Sequence, residues 1–307
     1  MSQCPNPGDL KATTESADPR FADIDLWPTE AAVAAMLDGQ VNAIAAIRDQ
    51  VPMIARASEA ASDRLMQGGR LIYVGAGTSG RIAVQDGVEL KPTFGWPSER
   101  LGFVIAGGMA ALSESAEGAE DDADDAQGQL AALAVTPHDV VIGVAASGRT
   151  RFTIGGVAMA RTLGAQTIGV ANNPGTPLLK AAEFGIVAAT GSEVIAGSTR
   201  MAAGTAQKAI LNLISTATML RCGRVYRGMM VDMVISNDKL LGRAQAMVQS
   251  LTDCSADVAA AAVTQANGNI KKAVLIAMGL NIEAATQTLA ANGENLRLAI
   301  AGIGDGA

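Results

Sequence analysis

Between Leu71 and Ala189, short apolar runs alternate with longer mixed segments. Leu71–Val74, Phe103–Ala106, Val140–Val144, Thr167–Val170 and Ile186–Ala189 lack polar alternation. Strands of that kind are buried on both faces, as in a parallel sheet covered by helices. Helical segments fill the intervals, so the pattern predicts an α/β fold with a doubly wound five-stranded parallel sheet. Ahead of it, residues 30–67 carry Ala, Ile, Val and Met with charges interspersed. They predict two helices, broken near Val51-Pro52 and stopped at Gly68-Gly69. Residues 1–28 are polar, hold several prolines and read as an extended arm. From about 226 the strand pattern ends. Residues 238–250, 255–266, 269–278, 281–291 and 294–301 read as short helices, with Asn267-Gly268, Gly279 and Asn292-Gly293 as separators. The expected division is an arm and helix at 1-44, an α/β domain at 45-225 and a small helical C-terminal domain at 226-307.

Composition narrows this picture. Hydrophobic residues are 49% and aromatics 3% of the 307 residues, so the core packs from small and branched side chains. Net charge is −7 and no Lys/Arg stripe occurs, which argues against a nucleic-acid partner. An anion must then be held locally, by backbone N–H groups and hydroxyls. No apolar run approaches the ~20 residues of a membrane span. Met1–Ser16 lacks the charged and apolar regions of a signal peptide. Cys4, Cys222 and Cys254 are far apart and read as reduced thiols. A cytoplasmic protein with no membrane partner is expected. The only histidine, His138, sits in a Thr-Pro-His-Asp turn and reads as a solvated loop residue. Proton transfer near neutral pH therefore falls to carboxylates, Lys or Tyr.

Two loops carry candidate chemistry. Gly75-Ala76-Gly77-Thr78-Ser79-Gly80 fits G-x-G-x-x-G between a strand and a helix. A dinucleotide site would also need a carboxylate at the end of the second strand. That strand ends Ile105-Ala106-Gly107-Gly108, without one. The hydroxyls of Thr78 and Ser79, beside Gly77, suit a phosphate monoester instead. Ala145-Ala146-Ser147-Gly148-Arg149-Thr150 repeats the arrangement after a later strand. Helix N-termini after strands favour anions, and in open α/β sheets the ligand crevice lies at the strands' carboxyl ends. One such loop is ordinary turn chemistry; two of matching form predict a phosphate cradle. In a third segment, Gly191–Arg200, the polar side chains Glu193, Ser198 and Thr199 either meet the ligand or, for Ser198 and Thr199, cap the next helix.

At these residues the chain resembles the N-acetylmuramic acid 6-phosphate etherases, a branch of the sugar isomerase (SIS) domain proteins. The matching text runs from Gly69 to Arg81, then Pro92-Thr93-Phe94-Gly95, Ile105–Gly108 and Glu117-Gly118-Ala119-Glu120-Asp121. It continues through the Ser147 loop, Gly197-Ser198-Thr199-Arg200, Gly204–Lys208, Met230-Val231-Asp232 and Asn237–Leu240. The resemblance implies an SIS fold, a homodimer, a sugar-phosphate ligand and no metal or redox cofactor. The implied reaction is loss of the D-lactyl ether from N-acetylmuramic acid 6-phosphate, by elimination and then hydration, during cell-wall recycling. It further implies Glu89 as the acid for departing lactate and Glu120 as the base at C2. On residues alone, Glu120 belongs to an acidic run, Glu117–Asp125, that reads as a solvated helix start. Glu89 lies about 15 Å beyond Ser79 if the helix is continuous. Gly87 and Pro92 predict a shorter helix; otherwise a partner subunit must supply the residue. Leu90-Lys91, Ala203, Arg151 and Asp18-Pro19 depart from the family's usual text. A non-catalytic sugar-phosphate regulator and an aldose–ketose isomerase are the alternative readings.

Overall fold

The structure is a computed structural model and describes residues 13–114 and 118–304. Its sheet has five parallel strands: β1 (Leu71–Gly75), β2 (Leu101–Ile105), β3 (Val140–Val144), β4 (Gln166–Ala171) and β5 (Phe184–Val187), in the order β2-β1-β3-β4-β5. All five apolar runs became strands. The inner strands β1, β3 and β4 are buried along their whole length, while edge strands β2 and β5 show partly exposed positions. Gly75 pairs with Val144 and Val144 with Val170, so the carboxyl ends of the inner strands lie level. The strand order reverses at β1 and β3, which puts the loops after these two strands side by side.

Helices α1 (Thr29–Ala45) and α2 (Val51–Met66) precede the sheet. Pro52 does not end a helix; it occupies the first turn of α2, where its missing N–H costs nothing. Ile54, Ala57, Ala61 and Leu65 form the buried face of α2 at helical spacing. The arm is not extended. From Thr13 it winds through short 3-10 turns at Thr13–Glu15, Pro19–Phe21 and Ile24–Leu26. Asp18 caps the second turn and pairs with Arg20, whose hydrogen bonds hold its carboxyl down at about 2. The first 12 residues of the expected arm, with Cys4, lie outside the described residues.

Helices α3 (Gly77–Phe94), α4 (Ala123–Ala132), α5 (Arg151–Thr162) and α6 (Pro177–Ala181) connect the strands. Helix α7 (Ala202–Arg221) follows the sheet. At the amino ends of the strands, Asp139 accepts from the Arg70 N–H at 2.8 Å, the Arg70 guanidinium at 2.7 Å and the Thr136 N–H at 2.8 Å. Burial alone would raise its pKa, but these bonds outweigh burial and hold it below the usual carboxylate value. The neighbouring His138 is exposed in its turn. Behind the sheet, Asp86 of α3 is buried and accepts from Tyr73 Oη (2.7 Å), Asn212 Nδ2 (2.6 Å) and Ser215 Oγ (3.0 Å). Burial, with this carboxylate beside it, pushes the Tyr73 hydroxyl well above its usual pKa.

The chain divides into two compact units. The second contains the C-terminal helices and also residues 88–98, which the sequence reading left inside the α/β domain. Within it, the Val234 N–H donates to the Pro92 carbonyl, and Arg224 stacks over the buried Trp96 ring at 5.5 Å. Its helices are α8 (Asp238–Thr252), α9 (Ala256–Gln265), α10 (Ile270–Ala277), α11 (Ile282–Ala291) and α12 (Leu296–Gly304). Asn237, Ser255, Asn269 and Asn281 cap α8 to α11 through their side chains. The core is aliphatic, built around Val231, Val248, Val263, Val274 and Leu289. Asp232 pairs there with Lys271 and, at 3.7 Å, with Arg224. Lys271 bonds Asp232 and the Glu294 carbonyl, and burial pushes Asp232 up and Lys271 down.

Candidate functional site

The loops after β1 and β3 close on one cavity of about 380 Å³. Close helix–strand packing starts the first loop. A Cβ on Gly75 would lie 2.9 Å from Gly80 Cα, so both positions exclude a side chain. Helix α3 then begins with Gly77, Thr78 and Ser79 at the cavity wall. In the second loop, Gly148 has φ +64°, and a Cβ there would meet Thr176 Oγ1 at 2.2 Å. This turn leaves Ser147, Arg149 and Thr150 lining the cavity, with Ser147 Oγ accepting from the Arg149 N–H at 3.1 Å. Thr150 is the N-cap of α5 but makes no side-chain cap bond. The first N–H groups of α5 are thus available to a ligand, beside those of α3, in a mouth that carries one arginine. Arg81 is engaged elsewhere: its guanidinium bonds the Ala111 and Glu114 carbonyls.

Of the residues expected to meet a ligand, Gly77, Thr78, Ser79, Ser147, Arg149, Thr150, Thr199 and Glu120 line this cavity. Gly148 shapes the turn from behind, and Ser198 is not at the wall. Glu193 corrects its reading as a ligand contact. It is buried, and its two carboxylate oxygens accept from the Ala202 and Ala203 N–H groups, both at 2.9 Å. The N-terminus of α7 therefore already holds a carboxylate, and neither Ser198 nor Thr199 caps it. The contrast with α3 and α5 is chemical: one helix start is filled from within, two are open.

Glu120 sits in a short 3-10 turn, Ala119–Asp121, exposed at the cavity mouth. Asp122 then caps α4 by accepting from the Asp125 N–H, so the acidic run does start a helix, but after Glu120. Glu117 lies outside the described residues. Glu89 is exposed and is not among the lining residues. The expected short helix is not found. Gly87 packs against Phe103 and Tyr73, Pro92 falls in the last turn, and α3 runs unbroken to Phe94. Lys91 is exposed two positions from Glu89, a spacing that turns the two side chains to different faces of a helix. Sequence reasoning missed two lining residues, Glu15 and Asp121. Glu15 comes from the arm, where no periodicity marks it. Among the described residues, no three His, Cys, Asp or Glu side chains gather as a metal site.

Comparison with known proteins agrees with this architecture. The family model of the glucokinase regulatory protein N-terminal SIS domain matches residues 53–161, and that of the SIS domain matches 111–217. The fold resembles a crystal structure assigned as a phosphosugar isomerase involved in capsule formation in Bacteroides fragilis (TM-score 0.51, 20% identity, 66% of this chain and 95% of that one). N-acetylmuramic acid 6-phosphate etherase of Deinococcus radiodurans is 45% identical over 92% of this chain and 93% of its own. The enzyme of the same name from Cronobacter sakazakii is 43% identical over 94% and 97%. That of Streptomyces coelicolor is 42% identical over 98% and 99%. With relatives more than 40% identical and matched along almost their whole length, the chain belongs to the N-acetylmuramic acid 6-phosphate etherase family.

Proposed function

We propose that this protein is a carbon–oxygen lyase that removes the D-lactyl ether from N-acetylmuramic acid 6-phosphate, giving N-acetylglucosamine 6-phosphate and D-lactate. The observation that carries this reading is the single cavity in which both phosphate loops meet Glu120. The open N–H groups of α3 and α5, with Thr78, Ser79, Ser147 and Thr150, hold the phosphate. The sugar opens to its aldehyde. Glu120 takes the C2 proton, the C3–O bond breaks, and an acid protonates the departing lactate oxygen. Water then adds at C3 and a proton returns to C2, so atoms balance without an external oxidant or reductant. Glu89 is the acid in this scheme. Because α3 is unbroken, Glu89 acts on the cavity of a second subunit. A homodimer is supported by α1, where Val33, Leu37, Val41 and Ile44 form an exposed apolar stripe at i, i+4, i+8 and i+11. No single helix among the described residues is long and apolar enough to cross a membrane. This suits a cytoplasmic enzyme of cell-wall sugar recycling.

The test is release of D-lactate from N-acetylmuramic acid 6-phosphate by the purified chain. Glu89→Ala is expected to keep exchange of the C2 proton with solvent while losing lactate release; Glu120→Ala is expected to lose both. Exchange that survives in Glu120→Ala and disappears in Glu89→Ala would reverse the two roles. Tight sugar-phosphate binding without lactate would leave a regulator, and a ketose product an isomerase.

A further inference from the structure

The scheme above leaves two carboxylates of the cavity, Asp121 and Glu15, without a task. Glu15 lies 105 positions before Glu120, in the arm, yet lines the same cavity. Its place is built rather than incidental. The Thr13 N–H and Oγ1 both donate to Asn173 Oδ1 at 2.8 Å. Asn173 Nδ2 donates in turn to Thr14 Oγ1 at 3.1 Å and to the Ala146 carbonyl of the second phosphate loop at 2.9 Å. Thr14 and Asn173 are buried. One asparagine at the carboxyl end of β4 therefore fixes the arm and the loop together. Glu15 Oε2 lies 3.3 Å from where a Cβ on Gly197 would stand. The carboxylate itself makes no hydrogen bond or ion pair among the described residues.

We propose that Glu15 is a specificity residue that holds the sugar part of the ligand, accepting hydrogen bonds from its hydroxyl or amide N–H groups. An ionised carboxylate only accepts, and it repels a phosphate dianion. What it can hold in a phosphate cavity is a neutral donor, and the sugar carries several. Charge-assisted bonds of this kind are short and comparatively strong. The inference rests on the sugar-phosphate reading of the cavity.

Its test separates sugar from phosphate. Titration calorimetry of the full chain would compare N-acetylglucosamine 6-phosphate with inorganic phosphate, in wild type, Glu15→Gln and Glu15→Ala. Glu15→Ala is expected to weaken the sugar phosphate about ten- to a hundredfold, the range for a lost bond to a charged group. Inorganic phosphate is expected to bind as before or more tightly. Glu15→Gln, which keeps the shape without the charge, should fall between. Unchanged sugar-phosphate affinity in Glu15→Ala overturns the inference. So does a parallel loss for inorganic phosphate, which would make the arm merely structural. A wild type that binds phosphate but not the sugar phosphate overturns the sugar-phosphate reading itself, and this inference with it.

Discussion

At the scale of single residues, the same side chain type does different work according to what its oxygens already hold. Glu193 is spent on two N–H groups, Asp86 on three neutral donors, and Asp139 on an arginine and two backbone donors. Glu15 and Glu120 face the cavity. Asp139 gives a pH prediction. Its folded pKa is depressed, so its contribution is present above the unfolded value of about 3.9 and is lost as pH falls through the folded value. Urea unfolding of Asp139→Asn should show lower stability than wild type at pH 7, with the difference shrinking below about pH 4. An equal difference at pH 7 and pH 3 would mean that the charge on Asp139 is not what stabilises the turn.

Among the elements, α7 differs from α3 and α5 in carrying its own anion. Glu193→Ala leaves two N–H groups without their acceptor and is expected to cost about 1–2 kcal/mol, the usual range for a lost cap. Chemical denaturation would measure it; a loss below a few tenths would mean that water replaces the carboxylate. This element also shows what was legible in the sequence. The strands were, because the inner ones are buried on both faces and none of the five runs alternates apolar with polar positions. The C-terminal helices were, because Gly268, Gly279 and Gly293, all at positive φ, separate them. The role of Glu193 was not, since its partners are backbone groups nine and ten residues on, and no side-chain pattern marks them. The length of α3 misled for a physical reason. Gly87 reads as a helix weakener, yet here its missing side chain lets α3 approach Phe103 and Tyr73. The two loops that line the cavity were legible as a pair, whereas the arm that carries Glu15 is tied to them through the buried Asn173.

For the whole molecule, the proposed pairing through α1 has a direct check. Leu37→Lys puts a charge in the middle of the exposed stripe, and sedimentation is expected to report a dimer for the wild type and a monomer for the variant. Because the scheme draws Glu89 from the second subunit, lactate release should fall with the dimer, while inorganic phosphate binding survives. A dimer unchanged by Leu37→Lys would move the interface elsewhere. The division of the chain carries a consequence of another kind. Residues 88–98 belong to a unit whose other residues begin only at Thr216. On the ribosome, Trp96 emerges on the order of 10 s before Arg224, at ordinary elongation rates. Through that interval Trp96 lacks the Arg224 guanidinium that lies over its ring in the folded chain. The order of synthesis, and not the final packing alone, therefore sets when this indole is covered.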